Sequence, residues 1–121
     1  MSVGGAILLV DDNESVRDFG AMALRSRGFD VVVAANGEEC LRVIADRPSA
    51  FGAIVLDMWM PDINGDQVVQ RLRADGTAIP VLLCSGLDIS DAELDAIGAD
   101  GFLPKPYRMG EIVAACQAVM S

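Results

Sequence analysis

The sequence predicts a doubly wound α/β layer fold, with strands and helices alternating in five βα units. Two patterns carry that expectation. Short continuous apolar runs recur along the chain, and amphipathic stretches with capping residues fill the spaces between them. Continuous rather than alternating hydrophobicity suits strands covered on both faces, as in parallel sheets. A third pattern concerns the ends of the runs, where carboxylates, a hydroxyl and a lysine fall in place of ordinary turn residues.

The apolar runs come first. They are Ala6–Val10, Val31–Ala34, Ala53–Leu56 and Val81–Cys84, with a weaker Gly101–Leu103. Between them, Asn13 can cap a helix that places Val16, Phe19 and Ala23 on one face and ends near Gly28. Asn36 with Glu39 forms a capping-box pattern before Leu41 and Ile44, and Pro48 follows the stop. Asn64 with Gln67 repeats it before Val68 and Leu72. Ser90 with Glu93 repeats it again before a short Ala- and Gly-containing segment. The last helix is expected from about Arg108 to Met120, with Ile112, Cys116 and Val119 inward.

Composition narrows the class. At 121 residues the chain is long enough for one core and too short for two, so a single domain over 1–121 is expected. It is 52% hydrophobic and 22% charged, which excludes a disordered segment. Asp+Glu is 18 against Lys+Arg 9, a net charge of -9. Such a surface repels phosphate backbones and anionic lipid, so neither nucleic acid nor membrane is expected as a direct partner. No apolar run approaches the ~20 residues that span a bilayer. The start, Met1-Ser2-Val3-Gly4-Gly5, lacks the basic flank of a signal peptide, so the expected address is the cytoplasm. There is no histidine, which excludes a His triad, a His metal site or a phosphohistidine. Cys40, Cys84 and Cys116 have neither metal spacing nor an even count, so buried reduced thiols are expected.

In open parallel sheets, ligands bind at the carboxyl ends of the strands. Asp11 and Asp12 follow the first run, Asp57 the third, Ser85 the fourth, and Lys105, the one lysine, the fifth. All of them land on one edge. Converging carboxylates repel, each close pair costing about 1–4 kcal/mol at surface dielectric. A hard cation with oxygen ligands removes that penalty, and few protein carboxylates with spare water positions suit Mg²⁺ better than Ca²⁺. The plainer reading is that Asp11 and Asp12 only cap the first helix, but Asn13 already serves as a cap. A carboxylate beside Mg²⁺ can act as a nucleophile and form an acyl phosphate. Lys105 and the Ser85 hydroxyl can each meet a phosphoryl oxygen. Pro106 makes a cis bond after Lys105 possible, which would fix the direction of the lysine.

These residues lie in four motifs: LLVDDNE at Leu8–Glu14, VLDMWMPDINGDQ at Val55–Gln67, VLLCSG at Val81–Gly86 and GADGFLPKPY at Gly98–Tyr107. In this order and spacing they resemble the receiver domain of two-component response regulators, from about Ala6 to Val119. The resemblance implies a flavodoxin-like (βα)5 fold with strand order 2-1-3-4-5. It implies Asp57 as phosphoacceptor and Mg²⁺, or Mn²⁺ in its place, held by Asp11, Asp12, Asp57 and the backbone carbonyl of Trp59. Lys105 would contact the phosphoryl group, with a cis peptide to Pro106. Ser85 would be the switch hydroxyl and Phe102 the aromatic that follows it. The donor would be a phosphohistidine on a sensor histidine kinase or a histidine phosphotransfer protein. The output would pass through the face of the fourth helix, fifth strand and fifth helix to an effector protein or domain. The role implied is a switch, with self-catalysed phosphoryl acceptance and slow loss, and not an enzyme in the ordinary sense.

Several positions depart from the family pattern. Trp59 stands where a smaller or polar residue is more usual. Its ring is expected either to shield an acyl phosphate from water, slowing self-dephosphorylation, or to pack beside Met58 or Met60. Asp88, Asp91, Glu93, Asp95 and Asp100 make the fourth-helix region acidic, with no basic residue before Lys105. A dimer through that face is therefore not expected; a basic partner surface or a monomer is, and at most a weak dimer. Ser85-Gly86 looks like receivers fused to hybrid sensor kinases. The chain is expected to be either a stand-alone receiver or a fragment of a larger protein.

Three rival readings fit the residues less well. An aspartate-nucleophile phosphatase resembles D-x-D, and Trp59 stands at the second position. A flavin carrier needs a phosphate loop where this chain has Asp11, Asp12 and Glu14. A receiver-like binding module that is never phosphorylated usually lacks part of the acidic set or the lysine, all of which is present here.

Overall fold

The computed structural model describes residues 5–121. The reading of the start as lacking a leader rests largely on residues 1–4, which lie outside that range. The element order is β1 (Ala6–Val10), α1 (Glu14–Arg25), β2 (Val31–Ala34), α2 (Gly37–Asp46), β3 (Phe51–Asp57), α3 (Gly65–Ala74), β4 (Val81–Ser85), α4 (Asp91–Ile97), β5 (Gly101–Pro104) and α5 (Met109–Met120). The five strands form one parallel sheet of order β2-β1-β3-β4-β5. Among the described residues, no helix is long and apolar enough to cross a membrane.

Alternate residues of each strand feed opposite sides of the sheet. Leu8, Val10, Ile54, Leu56 and Leu83 join α2, α3 and α4 through Ile44, Val68, Leu72 and Leu94. Ile7, Leu9, Val55 and Leu82 join α1 and α5 through Leu24, Ile112 and Cys116. Helices on both faces explain why the central strands are apolar without alternation. The edge strand β2 departs from that expectation. It pairs only with β1, Ala34 is its one buried residue, and Val33 is exposed.

The expected caps are in place. The Asn13 side chain accepts from the Val16 amide at 3.1 Å and Asn36 from Glu39 at 2.9 Å. Ser90 and Glu93 form the full reciprocal box, at 3.1 and 3.2 Å. At α3 the pattern divides: Gln67 accepts from the Asn64 amide, while its own amide donates to Asp66. The first helix closes at Arg25, three residues before Gly28, whose φ of 87° turns the chain toward β2. Val16, Phe19 and Val119 are only partly buried against the core. The cysteines are all free and buried. Burial raises the thiol pKa of Cys40 and of Cys116 to about 12, assisted at Cys40 by the Asp62 charge. They are therefore unreactive packing groups at neutral pH.

β3 is longer than its apolar run and includes Asp57, which pairs with Cys84 of β4. Asp57 is thus held within the ladder instead of hanging from a loop. The chain then turns sharply. The Gly65 amide donates to the Met58 carbonyl at 2.7 Å, and a Cβ on Gly65 would lie 2.7 Å from the Asp57 carbonyl oxygen. Only glycine lets the start of α3 approach the end of β3 this closely.

Candidate metal and phosphoacceptor site

Three strands deliver the site. β1 ends in Val10, and the next residue, Asp11, is buried. Its Oδ1 accepts from the Asn13 amide at 2.9 Å, and its backbone carbonyl accepts from Arg17 at 2.8 Å. Asp12 is exposed beside it. β3 ends in Asp57, which is 5% exposed. One carboxylate oxygen from each of Asp11, Asp12 and Asp57 lies within 4.8 Å of the others. The β5–α5 loop brings Lys105, whose Nζ is 2.7 Å from Asp11 Oδ2 and 3.2 Å from Asp57 Oδ1. The Lys105–Pro106 peptide is cis, and the Lys105 amide donates to the Ser85 carbonyl at 2.9 Å.

The electrostatics follow from this crowding. Burial, and then the charge of Asp11, raise the Asp57 carboxyl to about 6, against the opposing pull of Lys105. Burial alone would lower the Lys105 ammonium, but its bonds to Asp11 and Asp57 outweigh that and the net shift is upward. Lys105 therefore stays charged, while Asp57 ionises at a higher pH than a free aspartate. A divalent cation among three carboxylates would relieve that strain, because it opposes the Asp11 and Asp12 charges that Lys105 only partly offsets. Among the described residues, no backbone amide donates to the Trp59 carbonyl, so that oxygen is free to act as a ligand. The donor set is all oxygen and fits Mg²⁺ or Mn²⁺.

Ser85 is buried at the end of β4, and its hydroxyl oxygen accepts from the Leu87 amide at 3.0 Å. Phe102 is half-buried on β5 and lines a shallow cavity of about 340 Å³ with Leu94, Ala99 and Asp95. It packs against the α2–α3–α4 side of the core. The Trp59 side chain is 54% exposed, beside buried Met60. Tyr107, next to the cis bond, is buried against α1, with its ring 6.0 Å from that of Phe19.

Two groups of side chains escape a reading by spacing. Asp62 accepts from the amides of Gly37 and Glu38, at 3.1 and 2.8 Å. Arg73 donates to the carbonyls of Thr77, Ile79 and Gly98 and to Asp100 Oδ2. Asp100 also accepts from the Val81 amide at 2.8 Å. Asp100 is thus a paired structural residue, and the acidic fourth-helix region does have one basic neighbour, supplied from α3.

A parallel 2-1-3-4-5 sheet with a buried aspartate, acidic companions and a lysine at its carboxyl edge defines a class. The model of the response regulator receiver domain family matches residues 7–117, and the chain belongs to that family. Its relatives include the response regulators MprA of Mycolicibacterium vanbaalenii and of Mycobacterium tuberculosis. Each is 41% identical over 118 residues, covering 94% of this chain and 49% and 50% of those proteins. The chain therefore spans about half the length of the curated relatives it matches. Among solved structures, the Vibrio cholerae chemotaxis protein CheY4 superposes with a TM-score of 0.87 at 28% identity, covering 96% of this chain and 98% of that one. The receiver domain of the hybrid histidine kinase CckA gives 0.82 at 30% identity, covering 97% and 100%. Receiver domains of this family are signalling modules of response regulators.

Proposed function

We propose that Asp57 accepts a phosphoryl group from a phosphohistidine on a sensor histidine kinase or histidine phosphotransfer protein. The observation that carries this is the placement of Asp57, buried at a strand end, with Lys105 Nζ at 3.2 Å and Asp11 and Asp12 beside it. A carboxylate oxygen of Asp57 attacks phosphorus. The P–N bond to the donor imidazole breaks, its electron pair stays on nitrogen, and an acyl phosphate forms. Asp11, Asp12, Asp57 and the Trp59 carbonyl would hold Mg²⁺, or Mn²⁺, which supplies positive charge to the transferring oxygens. Lys105, charged and held in one direction, pairs with another of those oxygens. The Ser85 hydroxyl, leaving the Leu87 amide, meets a third.

The switch follows from that exchange. Ser85 draws the β4–α4 loop inward, Phe102 moves into the space released, and the α4–β5–α5 face changes shape for an effector. Phosphorylation shifts the equilibrium only by what it adds to one state over the other. The domain is proposed to span 1–121, to act in the cytoplasm as a monomer or weak dimer, and to make no direct contact with nucleic acid or membrane.

The test is intact mass after incubation with Mg²⁺ and a small-molecule phosphodonor, alongside Asp57→Ala. The expected result is a gain of one phosphoryl group, lost in the variant and without Mg²⁺. No gain, together with no beryllofluoride complex, would overturn the reading in favour of a phosphorylation-independent binding module.

A further inference from the structure

The chain between Asp57 and α3 is short, and its two ends are fixed differently. At its start, the Met58 amide donates to the Cys84 carbonyl at 2.8 Å and the Met58 carbonyl accepts from Gly65. Those bonds hold the backbone just before Trp59. At the far end, the Asp62 carboxylate reaches out of the loop to another helix. It takes the first two amides of α2, Gly37 at 3.1 Å and Glu38 at 2.8 Å. These are orphan donors of the helix terminus, and Asn36 already takes the Glu39 amide. The next residue, Ile63, packs on the same point. A Cβ on Gly37 would sit 2.9 Å from Ile63 Cγ1, so the absence of a side chain there makes the seat for the loop. Burial by itself would raise the Asp62 carboxyl, but the backbone amides of Glu38, Ile63 and Gly37 together outweigh it and hold the group below the usual aspartate range. It is therefore a permanent acceptor at neutral pH.

We infer that Asp62 is a positioning residue for the divalent-cation site. By clamping the loop to the N-terminus of α2, it fixes the direction of the Trp59 carbonyl relative to Asp57, Asp11 and Asp12. The inference rests on the reading of that oxygen as a metal ligand. Asp62 itself touches neither the cation nor a phosphoryl group. Its effect passes through three residues of backbone, Trp59, Met60 and Pro61, of which Met60 is buried and Pro61 has a fixed φ. A loop of that length, anchored at both ends, leaves the intervening carbonyl few orientations.

The experiment is a Mg²⁺ titration of the metal-free protein, read by the fluorescence of Trp59, the chain's one tryptophan. Asp62→Ala is expected to weaken Mg²⁺ about tenfold, the usual scale for loss of a group that orients a ligand. Asp62→Asn keeps one acceptor oxygen and should fall between the two; it carries the test if the alanine variant does not fold. Asn36→Ala removes the neighbouring cap from the same helix end without freeing the loop, and should stay within about twofold of wild type. The differences should persist in high salt, where a long-range pull by the Asp62 charge would fade. Wild-type affinity in Asp62→Ala, an equal loss in Asn36→Ala, or a loss that disappears with salt would overturn the inference. No Mg²⁺ response from the wild-type protein would instead overturn the metal reading beneath it.

Discussion

The two sides of the site are built to different standards. On the β1–β3 side, Asp11 and Asp57 are buried, bridged by Lys105, and backed by a loop tied at both ends. On the β4 side, Ser85 leads into a loop whose Leu87 is 67% exposed, and then into the shortest helix, with Leu94 as its only buried residue. The β1–β3 side has the character of a preorganised binding site and the β4 side that of an element which opens at low cost. A switch needs both. The rigid half defines where charge arrives, and the weak half supplies two arrangements of similar free energy.

Paired truncations within the core cluster on the α2–α3–α4 side of the sheet test that contrast most severely. Leu83 on β4 is fully buried, and Leu94 on α4 packs into the same cluster. Leu83→Ala should cost about 2–5 kcal/mol and lower the midpoint of the whole domain. Leu94→Ala should cost less, and its effect should be local: amide exchange rises throughout α4 while the β1 and β3 amides keep their protection. Hydrogen exchange on the two variants makes the measurement. Uniform loss of protection in Leu94→Ala would mean that α4 is part of the rigid body.

The second test concerns charge in the rigid half. Asp57 has a folded-state pKa of about 6 against 3.8 for a free aspartate. Between those values the native state holds a proton that the unfolded state has released. Stability therefore falls as pH rises through that window, and the whole penalty is present above it. Asp57→Asn removes the ionisable group. Without metal, it should be more stable than wild type by on the order of 1–2 kcal/mol at pH 7, with the difference closing near pH 4. Added Mg²⁺ should stabilise wild type and close the gap from the other direction. Parallel thermal melts across pH, with and without Mg²⁺, read both effects.

How much of this was legible in the sequence follows the same division. Local rules found the strands, the caps at Asn13, Asn36 and Ser90, and the five polar residues at the sheet edge, because run length, cap spacing and strand ends are properties of neighbouring residues. The exposure of Val33 was not legible, since an apolar run does not say which strand lies at the edge of a sheet. Asp62 reads as an ordinary turn residue after Pro61, and its partners lie 24 and 25 residues away. Asp100 reads as one more acid in a run of acids, and its partner Arg73 lies 27 residues away. What sequence spacing missed is the set of side chains that bind a distant backbone.

Arg73 gives the smallest of these tests and the most local one. Its guanidinium holds the Gly98 carbonyl, just past the end of α4, and pairs with Asp100, which in turn holds the Val81 amide. Among the described residues, the N-terminal end of α4 has no such tie beyond its own Ser90–Glu93 box. The helix is therefore pinned at one end, and displacement of the Ser85 loop should make it pivot about Gly98 rather than detach. Arg73→Gln keeps one donor group but loses the charge and most of the bonds to carbonyls. The pair is partly exposed, so a global cost of only about 1 kcal/mol is expected. The exchange pattern is the sharper readout. In wild type, the last turn of α4 should exchange more slowly than its first turn, and in Arg73→Gln that order should flatten or reverse. If the gradient along α4 survives the substitution, the pivot is set by Leu94 and Gly98 alone, and the contrast between the two sides of the site rests on packing without the arginine clasp.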